Sequence, residues 1–433
     1  MNTLSQASVM NFLNEVADEF PLAISLAVGQ PTNRFYERLN PGVLLDAQAR
    51  HEHSLTPGRN LLDAKARLLQ YGRTAGMINE LVIQQLRADE GVTASPERIL
   101  ITAGCQEALS LCLPALCPDP QDVVLVFNPT YAGATCAARA TGVVVFAIPN
   151  VYSDVVESIE RAVKELHQSG RRAKALYIIP EFDNPTGRVL DEFQRRAILG
   201  LCARLRITVL EDNPYGMFRY EGKPVQPMAA LDEAGCVIYL STFSKTIAPA
   251  VRVGAATLPE TFFGDRGASS ALWQRLVERK SYLTVNTSQI TQAIVGGLLL
   301  DQNGSLRQWI QPATAWYRAN RDAMVNELQA AFPSISSQVQ WNRPSGGFFL
   351  ALDLPFRFDV EAAVECATNY GVIVMPMSFF ALDNSQDHRI RLSFSAADAQ
   401  QIRAGVASLA QYVSWRMERG LHVLKNAHTS GAS

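Results

Sequence analysis

The chain has 433 residues, of which 48% are hydrophobic and 18% are charged, and its formal net charge is −2. This composition excludes a disordered or fibrous protein, and the length suits two domains in one subunit. The small net charge gives no reason to expect nucleic acid or an anionic membrane as a partner. The N-terminus does not resemble a signal peptide, no apolar run is long enough to span a membrane, and the seven cysteines form no CxxC pair, so we expect a cytoplasmic protein.

Short apolar runs alternate with stretches of helical spacing from about residue 75 to 260. Strands are predicted at 98–102, 123–127, 143–148, 175–179, 208–210 and 236–240, and helices at 76–89, 106–116, 155–169 and 191–205. Strands that are apolar throughout and separated by helices of this length are typical of a mostly parallel sheet covered on both faces. The pattern therefore predicts an α/β domain.

The pattern changes after about residue 305. One long helix is predicted at 306–331, followed by helices at 360–370 and 397–415 and by strands at 372–375 and 389–394. These elements predict a smaller α+β domain, which the N-terminal residues join. We expect an N-terminal segment at 1–45, a large domain at 46–305, a small domain at 306–424 and a disordered tail at 425–433.

Most of the predicted strands are followed by clusters of Gly, Asn, Asp, Ser or Pro. In open α/β sheets, ligands bind outside the carboxyl ends of the strands. The polar segments are therefore expected to meet at one edge of the sheet, although they are spread over about 150 residues of sequence.

One of these segments, STFSKTIAPAVRVG, places Lys245 directly after an apolar strand and between small hydroxyl residues. Alone it is ambiguous, because lysines with a buried stem and a solvated amine are common. Together with the segments described below, it resembles the cofactor-lysine motif of the fold-type I enzymes that use pyridoxal 5′-phosphate (PLP), specifically the class I/II aminotransferases. The resemblance covers roughly residues 20–415.

The resemblance implies a mostly parallel seven-stranded sheet flanked by helices, a smaller α+β domain, and PLP as the cofactor. It also implies that Lys245 carries the cofactor as a Schiff base. Once an amino acid displaces it, this lysine would move the proton between the substrate α-carbon and the cofactor C4′. Such an amine must be able to lose its proton, which desolvation and a nearby cation both favour.

Two further segments resemble motifs that bind the pyridine ring in this family. In EDNPYG, the resemblance makes Asp212 the carboxylate that keeps the ring nitrogen protonated and Tyr215 a donor to the phenolic oxygen. In NPTG, it makes Asn184 a second donor to that oxygen, and Asn184 also borders the substrate. Either segment by itself could be an ordinary turn. Their order relative to Lys245 favours the cofactor site.

The segment TAGCQEAL combines a strand end, a glycine turn and a helix start, where backbone N–H groups and the helix dipole favour an anion. It resembles the phosphate cup of the family. Relatives commonly have Ser or Thr where this chain has a cysteine, and a thiol is a weaker donor. The residues that the resemblance assigns to the cup are Gly104, Cys105, Gln106, Thr242, Ser244 and Arg252.

Two tyrosines receive roles through the same resemblance. In NPTYAG, Tyr131 stands where relatives stack an aromatic ring on the pyridine. In QYGRTAG, Tyr71 stands where the hydroxyl reaches the phosphate in the neighbouring subunit's site. The second role implies a homodimer with shared active sites.

The substrate site is expected near a C-terminal strand. In HRIRLSF, alternation puts Arg389 and Arg391 on the same face, so spacing does not choose between them. The family motif selects Arg391 for the substrate α-carboxylate, and Gly29 belongs to a segment that resembles the one closing over it. Aromatic residues at the expected mouth favour a neutral, aromatic or specialised substrate side chain; they are Phe35, Tyr36, Phe379 and Phe380.

Three functions can be compared on these observations. An aminotransferase would exchange the amino group between an α-amino acid and a 2-oxo acid. The same cofactor residues also serve elimination, replacement, oxidation or cyclisation. Met377 stands where relatives usually have glycine, which would reshape the substrate-side wall, and together with the unusual Cys105 it leaves that alternative open. The aminotransferase-like module of a transcription regulator would need an N-terminal helix-turn-helix domain, for which we expect no room before Gly29. We predict an aminotransferase.

Overall fold

The computed structural model describes residues 19–56, 60–149, 154–333 and 338–430. The expected N-terminal segment is therefore described only from residue 19, and residues 431–433 of the expected tail lie outside the described residues. Among the helices of the described ranges, none is both long enough and apolar enough to cross a membrane.

A seven-stranded sheet forms the centre of the larger part of the molecule. The strands of the described chain, numbered in chain order, are β1 Ile24–Ser25, β2 Ile99–Thr102, β3 Asp122–Asn128, β4 Val144–Pro149, β5 Arg172–Ile178, β6 Thr208–Asp212, β7 Val237–Thr242, β8 Gly254–Thr257, β9 Gln340–Trp341, β10 Phe349–Asp353, β11 Val372–Ile373, β12 Met375–Pro376 and β13 Arg389–Ser393. The order across the large sheet is β2-β8-β7-β6-β5-β3-β4. Only β8 runs antiparallel to its neighbours. The predicted mostly parallel seven-stranded sheet is confirmed.

Helices cover both faces of this sheet. The α-helices of the described chain are α1 Pro41–Ser54, α2 Leu61–Arg67, α3 Asn79–Glu90, α4 Cys105–Leu116, α5 Ala132–Ala140, α6 Val155–Gln168, α7 Glu192–Leu205, α8 Met228–Leu231, α9 Arg266–Leu283, α10 Gln289–Asp301, α11 Arg307–Ala331, α12 Val360–Tyr370 and α13 Ala399–Ser430. Leu109 of α4 and Leu276 of α9 pack into the core on one face, and Ile159 of α6 and Ile198 of α7 pack into the core on the other. Because both faces are covered, polar groups are accessible mainly at the strand ends.

Several helix ends follow from local sequence. Helix α7 begins with a capping box, in which Asp191 and Gln194 each bond the other's backbone N–H. Helices α3 and α12 end at Gly91 and Gly371, whose φ angles of 74° and 66° are easy for glycine. These stops return the chain to the sheet after each helix.

The smaller part of the molecule contains an antiparallel sheet in the order β12-β13-β10-β9, packed with α11, α12 and α13. Strand β1 pairs in parallel with β11, with Ile24 opposite Val372. The described N-terminal residues therefore contact this part of the chain. The pairing also brings residues just after Ser25 next to the strand that carries Arg391.

The structure differs from the predicted elements in several places. Strand β8 was not predicted, because Gly254-Ala-Ala-Thr257 has little intrinsic strand preference and forms a strand through pairing on both sides. Helices α1, α2, α5, α8, α9 and α10 were also not predicted. Helix α13 continues to Ser430, past the predicted end of the last helix at residue 415 and into the expected tail. No Pro or Gly interrupts residues 421–430, which lets the helix continue.

Candidate active site

The polar segments predicted to converge do meet at the carboxyl edge of the large sheet. Asp212 is the last residue of β6 and Thr242 the last residue of β7, while Asn184 follows β5. Lys245 follows β7 by three residues. Neighbouring parallel strands thus deliver these side chains to one place.

The amine of Lys245 is enclosed by protein. Its Nζ donates a hydrogen bond to the carbonyl oxygen of Gly29 at 2.9 Å. Burial, followed by the nearby guanidinium groups of Arg391 and Arg252, lowers the pKa of Lys245 from 10.5 to about 8. Both effects disfavour the ammonium form. The amine can therefore lose its proton close to neutral pH, as the predicted chemistry requires.

Asp212 is buried and only half satisfied. Its Oδ2 accepts a hydrogen bond from the Tyr177 hydroxyl at 2.8 Å, whereas Oδ1 is buried without a hydrogen-bond partner among the described residues. Burial raises the pKa of Asp212 to about 6, and the Tyr177 hydrogen bond opposes that rise. We did not predict a role for Tyr177, although a tyrosine in an otherwise apolar strand was a usable signal.

Arg391 is only 3% exposed and binds the loop after β5. Its Nη1 donates to Asn184 Oδ1 at 2.8 Å and its Nη2 donates to the Ala27 carbonyl at 2.6 Å, while its Nε is buried without a partner among the described residues. The guanidinium lies over the rings of Phe349 and Phe380, 4.1 and 4.6 Å from their centres. We did not predict Phe349 at the site.

The second arginine of the C-terminal strand lies elsewhere. Arg389 forms an ion pair with Asp353 and donates to Gln386 at 3.0 Å. The structure therefore brings Arg391, and not Arg389, to Asn184, a choice that strand alternation alone left open.

Two tyrosines border the same space. Tyr215 is buried against Phe348 and Phe349, and the Lys245 Nζ lies 6.0 Å from its ring centre. Burial raises the pKa of Tyr215, so its hydroxyl stays protonated. Burial also raises the pKa of Tyr131, to about 12. Both phenols are therefore available as hydrogen-bond donors.

The expected phosphate cup lies at the start of α4. Gly104 precedes this helix with φ 76° and ψ 174°, and no side chain caps the helix, so its first backbone N–H groups are available to a ligand. Arg252 donates to Ser244 Oγ at 3.1 Å and to the Ala103 carbonyl at 3.2 Å. The backbone N–H of Ser244 donates in turn to Thr242 Oγ1 at 3.2 Å. These groups form a cationic, donor-rich pocket that suits a phosphate.

Two side chains of the cup make other bonds. The Cys105 thiol donates to the carbonyl of Ser241 at 3.3 Å, and Gln106 Nε2 donates to the carbonyl of Gly133 at 2.8 Å. Cys105 and Gln106 therefore offer an anion their backbone N–H groups. The Cys105 thiol, which replaces the usual hydroxyl, connects α4 to β7 through its hydrogen bond to Ser241.

The three remaining positions that the sequence singled out, Gly29, Tyr71 and Met377, lie in three different environments. The Cα of Gly29 packs against the Phe349 ring, which leaves no space for a side chain. Tyr71 is 85% exposed, and the structure does not bring it to the other site residues of its own chain. Met377 is fully buried in the core.

Comparison with known proteins identifies the family. Residues 25–409 match the family of aminotransferases of class I and II. The chain belongs to this family. It is 35% identical to (S)-3,5-dihydroxyphenylglycine transaminase of Amycolatopsis orientalis, over 95% of this chain and 92% of that protein. It is 31% identical to aromatic-amino-acid aminotransferase 1 of Thermococcus litoralis, over 82% of each chain.

A comparison with solved structures also matches this chain to an aminotransferase. The kynurenine aminotransferase of Pyrococcus horikoshii, in complex with PMP, kynurenine and the product, superposes with a TM-score of 0.80 at 28% identity, covering 96% of this chain and 95% of that one. The chain is thus a PLP-dependent aminotransferase that acts on amino acids and 2-oxo acids. Elimination, oxidation and cyclisation are not favoured.

Proposed function

We propose that this aminotransferase uses Lys245 to bind PLP and to move the substrate proton, and that its amino donor has an aromatic or other neutral side chain. The observation that carries the proposal is the environment of the Lys245 amine. It is partly buried beside Asp212, Arg252 and Arg391, with its pKa lowered to about 8. A neutral amine at this position can accept the proton from the substrate α-carbon and return it to C4′.

The buried Oδ1 of Asp212 supports the fit of the cofactor ring. An unpartnered carboxylate oxygen inside the protein is costly unless a ligand donor meets it, and the protonated pyridine nitrogen is such a donor. When bound, PLP supplies an electron sink for the bond pair left by the departing proton. Tyr177 holds Asp212 in place from the other oxygen.

Three side chains surround the rest of the ring in this proposal. The Asn184 amide and the Tyr215 hydroxyl donate to the phenolic oxygen, and Tyr131 stacks on the ring face. Asn184 is already held by Arg391 through its Oδ1, which leaves its amide nitrogen free to donate towards the ring. One residue thereby connects the cofactor position to the substrate position.

The phosphate is assigned to the start of α4. The backbone N–H groups of Cys105 and Gln106 belong to the uncapped start of the helix, whose dipole favours an anion, while the Gly104 N–H donates to the Thr102 carbonyl at 2.8 Å and Gly104 shapes the turn. The rest of the cup comes from the lysine segment and consists of Thr242, Ser244 and Arg252. Arg252 contributes a fixed positive charge, because it is held on both sides by Ser244 and the Ala103 carbonyl.

Arg391 is assigned to the substrate α-carboxylate. Burial lowers its pKa only to about 10, so it remains charged at neutral pH. Its planar guanidinium is held between aromatic rings and suits a two-point contact with a carboxylate. Gly29 closes this side of the site through its contact with Lys245.

The side-chain preference follows from the charges around the site. Among the described residues, the cations that influence the Lys245 amine are Arg391 and Arg252, and both already have a proposed anionic partner. No second arginine is marked for a substrate side-chain carboxylate. Phe35 and Tyr36 line a small cavity beside Lys245, and Phe380 lies on Arg391. The names of the relatives from Amycolatopsis orientalis and Thermococcus litoralis agree with an aromatic donor.

We further propose a homodimer with shared active sites. Much of the large, exposed hydrophobic surface of the described chain lies on connected elements, which we call the apolar face: Val43, Leu55, Leu62, Leu69, Tyr71, Tyr282, Leu283, Val285 and Ile290. Helix α1 packs against α10, and Gly72 lies against Gln289, so these positions are joined in space. A patch of this size suits a second copy of the chain, and Tyr71 would then reach the partner's phosphate.

A cytoplasmic location is proposed on the state of the cysteines. All seven are free, and five of them are buried in the core. Thiols in this state suit a reducing compartment.

Borohydride reduction of the PLP-loaded protein tests the lysine assignment. Peptide mass mapping is expected to find the label on Lys245, and Lys245→Ala is expected to remain unlabelled. Lys223→Ala, at an exposed position, serves as the control and should be labelled like the parent protein. A label on any other lysine of the parent protein would show that the site assignment is wrong.

A donor panel tests the substrate class. L-phenylalanine, L-tyrosine, L-kynurenine, L-leucine and L-aspartate are offered with 2-oxoglutarate, and release of each 2-oxo acid is measured. Higher kcat/KM with the aromatic donors is expected. A clear preference for aspartate would contradict the proposed specificity.

A further inference from the structure

A buried ion pair lies directly beneath the proposed phosphate cup. The side chain of Lys280, from α9, is 0% exposed, and its Nζ lies 3.0 and 2.9 Å from the two carboxylate oxygens of Glu107. Glu107 is the third residue of α4, the helix whose start forms the cup. The pair is thus separated from the cup by less than one turn of helix.

Glu107 holds the loop that precedes the helix. Its Oε2 accepts a hydrogen bond from the backbone N–H of Ala103 at 2.5 Å. The carbonyl of the same residue accepts from Arg252 Nη2 at 3.2 Å. Ala103 is therefore held on one side by Glu107 and on the other by the arginine assigned to the phosphate. These two contacts hold Gly104 in a backbone conformation that glycine alone adopts readily.

The position of Glu107 creates an electrostatic conflict. A carboxylate near the start of α4 stabilises the empty helix end, but it repels a phosphate dianion bound at the same end. Because Glu107 and Lys280 are themselves buried, solvent screens this repulsion only in part. The Lys280 ammonium opposes it, because it contacts both oxygens of the carboxylate.

Further bonds fix the ammonium in this place. Lys280 Nζ also donates to Thr284 Oγ1 at 3.0 Å and to Thr287 Oγ1 at 3.1 Å. The Thr287 hydroxyl donates to the carbonyl of Ile101, in the strand that leads to the cup. The network therefore connects β2, the cup and the 284–287 segment, which adjoins the apolar face.

We propose that Lys280 is a positioning residue for the phosphate cup: it neutralises Glu107, so that Glu107 can shape the Ala103–Gly104 loop without repelling the cofactor phosphate. The inference rests on the proposed phosphate site. It predicts that loss of Lys280 weakens binding of a phosphorylated ligand specifically, and that removing the charge of Glu107 as well restores it.

Binding of PLP and of pyridoxal, which lacks the phosphate, to the cofactor-free protein tests this prediction. Dissociation constants are measured by fluorescence titration for the parent, Lys280→Met, Glu107→Gln and the double variant. Lys280→Met is expected to lose PLP affinity by at least about tenfold with a much smaller effect on pyridoxal, because an uncompensated buried carboxylate then faces the phosphate. The double variant is expected to recover to within about threefold of the parent.

A matched control and a second variant keep the test decisive. Lys164→Met makes the same change at an exposed position of α6 and should leave both affinities unchanged. Glu107→Gln keeps an oxygen for the Ala103 N–H and should bind PLP at least as tightly as the parent. This variant tests the proposal even if Lys280→Met does not fold.

Three results would overturn the proposal. Equal losses for PLP and pyridoxal in Lys280→Met would indicate a general structural role, and a double variant no better than Lys280→Met would exclude charge compensation. A parent protein without preference for PLP over pyridoxal would instead refute the phosphate site itself, together with this inference.

Discussion

The partly buried Lys245 and the buried Arg391 are two basic groups whose pKa values respond differently to the same surroundings. Burial is the main cause of the lowered pKa of each, to about 8 for the lysine and about 10 for the arginine. At neutral pH the arginine therefore keeps its charge, whereas the lysine is within reach of its titration point. The candidate site thus combines a charged guanidinium, proposed for the substrate carboxylate, with a titratable amine, proposed for proton transfer.

The rate at which PLP attaches covalently to the cofactor-free protein is expected to report the lysine pKa. The neutral amine is the reactive form, so the rate should rise with pH through about 8 and level off above about 9. An ordinary lysine would continue to gain reactivity up to its pKa of 10.5. Stopped-flow absorbance from pH 6 to 10 measures this profile. A midpoint near 10 would contradict the buried environment of Lys245.

Tyr177→Phe is expected to reduce kcat by roughly tenfold while the fold is retained. The change removes the hydrogen bond to Asp212 that opposes the burial-induced rise in its pKa, and such a bond to a charged group contributes about 1.5–3 kcal/mol. Asp212 would then be protonated at a higher pH and hold the ring nitrogen less well. Steady-state kinetics from pH 6 to 9 test this, and an unchanged kcat and pH profile would exclude a role for Tyr177.

At the scale of elements, the junction between β2 and α4 shows how a helix start becomes an anion site. Gly104 has φ 76° and ψ 174°, a combination that costs other residues about 1–3 kcal/mol. A Cβ at this position would also lie 2.5 Å from Arg252 Nη2. The conformation of one glycine therefore determines both the direction of the helix and the place of the arginine.

Gly104→Ala is expected to lower PLP affinity by about tenfold or more, because the new methyl group displaces Arg252 from the cup. Gly170→Ala is the matched control. Its φ is also positive, at 73°, but nothing lies within 4 Å of the added Cβ, so it should lose about 1 kcal/mol of stability without loss of PLP affinity. Fluorescence titration and thermal unfolding separate the two effects, and equal PLP affinity in both variants would refute the role of Gly104.

The apolar face leaves many hydrophobic side chains exposed on a single copy of the chain. Tyr71 is 85% exposed, and the neighbouring Leu69 is 75% exposed. Exposed hydrophobic residues joined over several elements are typical of an interface. The proposed domain boundaries at 45/46 and 305/306 remain a prediction, although β1 pairs with β11 in the smaller part of the molecule.

Leu69→Glu is expected to convert a dimer into monomers and to lower activity, because a charge in an apolar interface is costly to desolvate. Phe193→Glu provides the control, since Phe193 is 81% exposed on α7, away from the apolar face. Sedimentation velocity gives the oligomeric state of both variants. A Leu69→Glu protein that sediments like the parent would contradict the proposed interface.

The sequence alone predicted the sheet, because parallel strands have continuous apolar patterns, and it predicted that their polar ends share one edge. That reasoning, together with the family resemblance, assigned Lys245, Asp212 and Asn184 to the proposed site by motif order. It did not reach β8, since its four small residues become a strand only by pairing with β2 and β7. Nor did it predict that helix α13 continues into the tail.

The tertiary structure shows which of the two arginines lies beside Asn184, and it is Arg391, the one that the family motif selected. Arg389 and Arg391 are equivalent by alternation, but the neighbouring strand β10 supplies Asp353 to Arg389, and the loop after β5 supplies Asn184 to Arg391. The contacts of Tyr177 with Asp212 and of Lys280 with Glu107 join residues 35 and 173 positions apart. Such pairings depend on how strands and helices pack against each other, so they cannot be predicted from the local sequence.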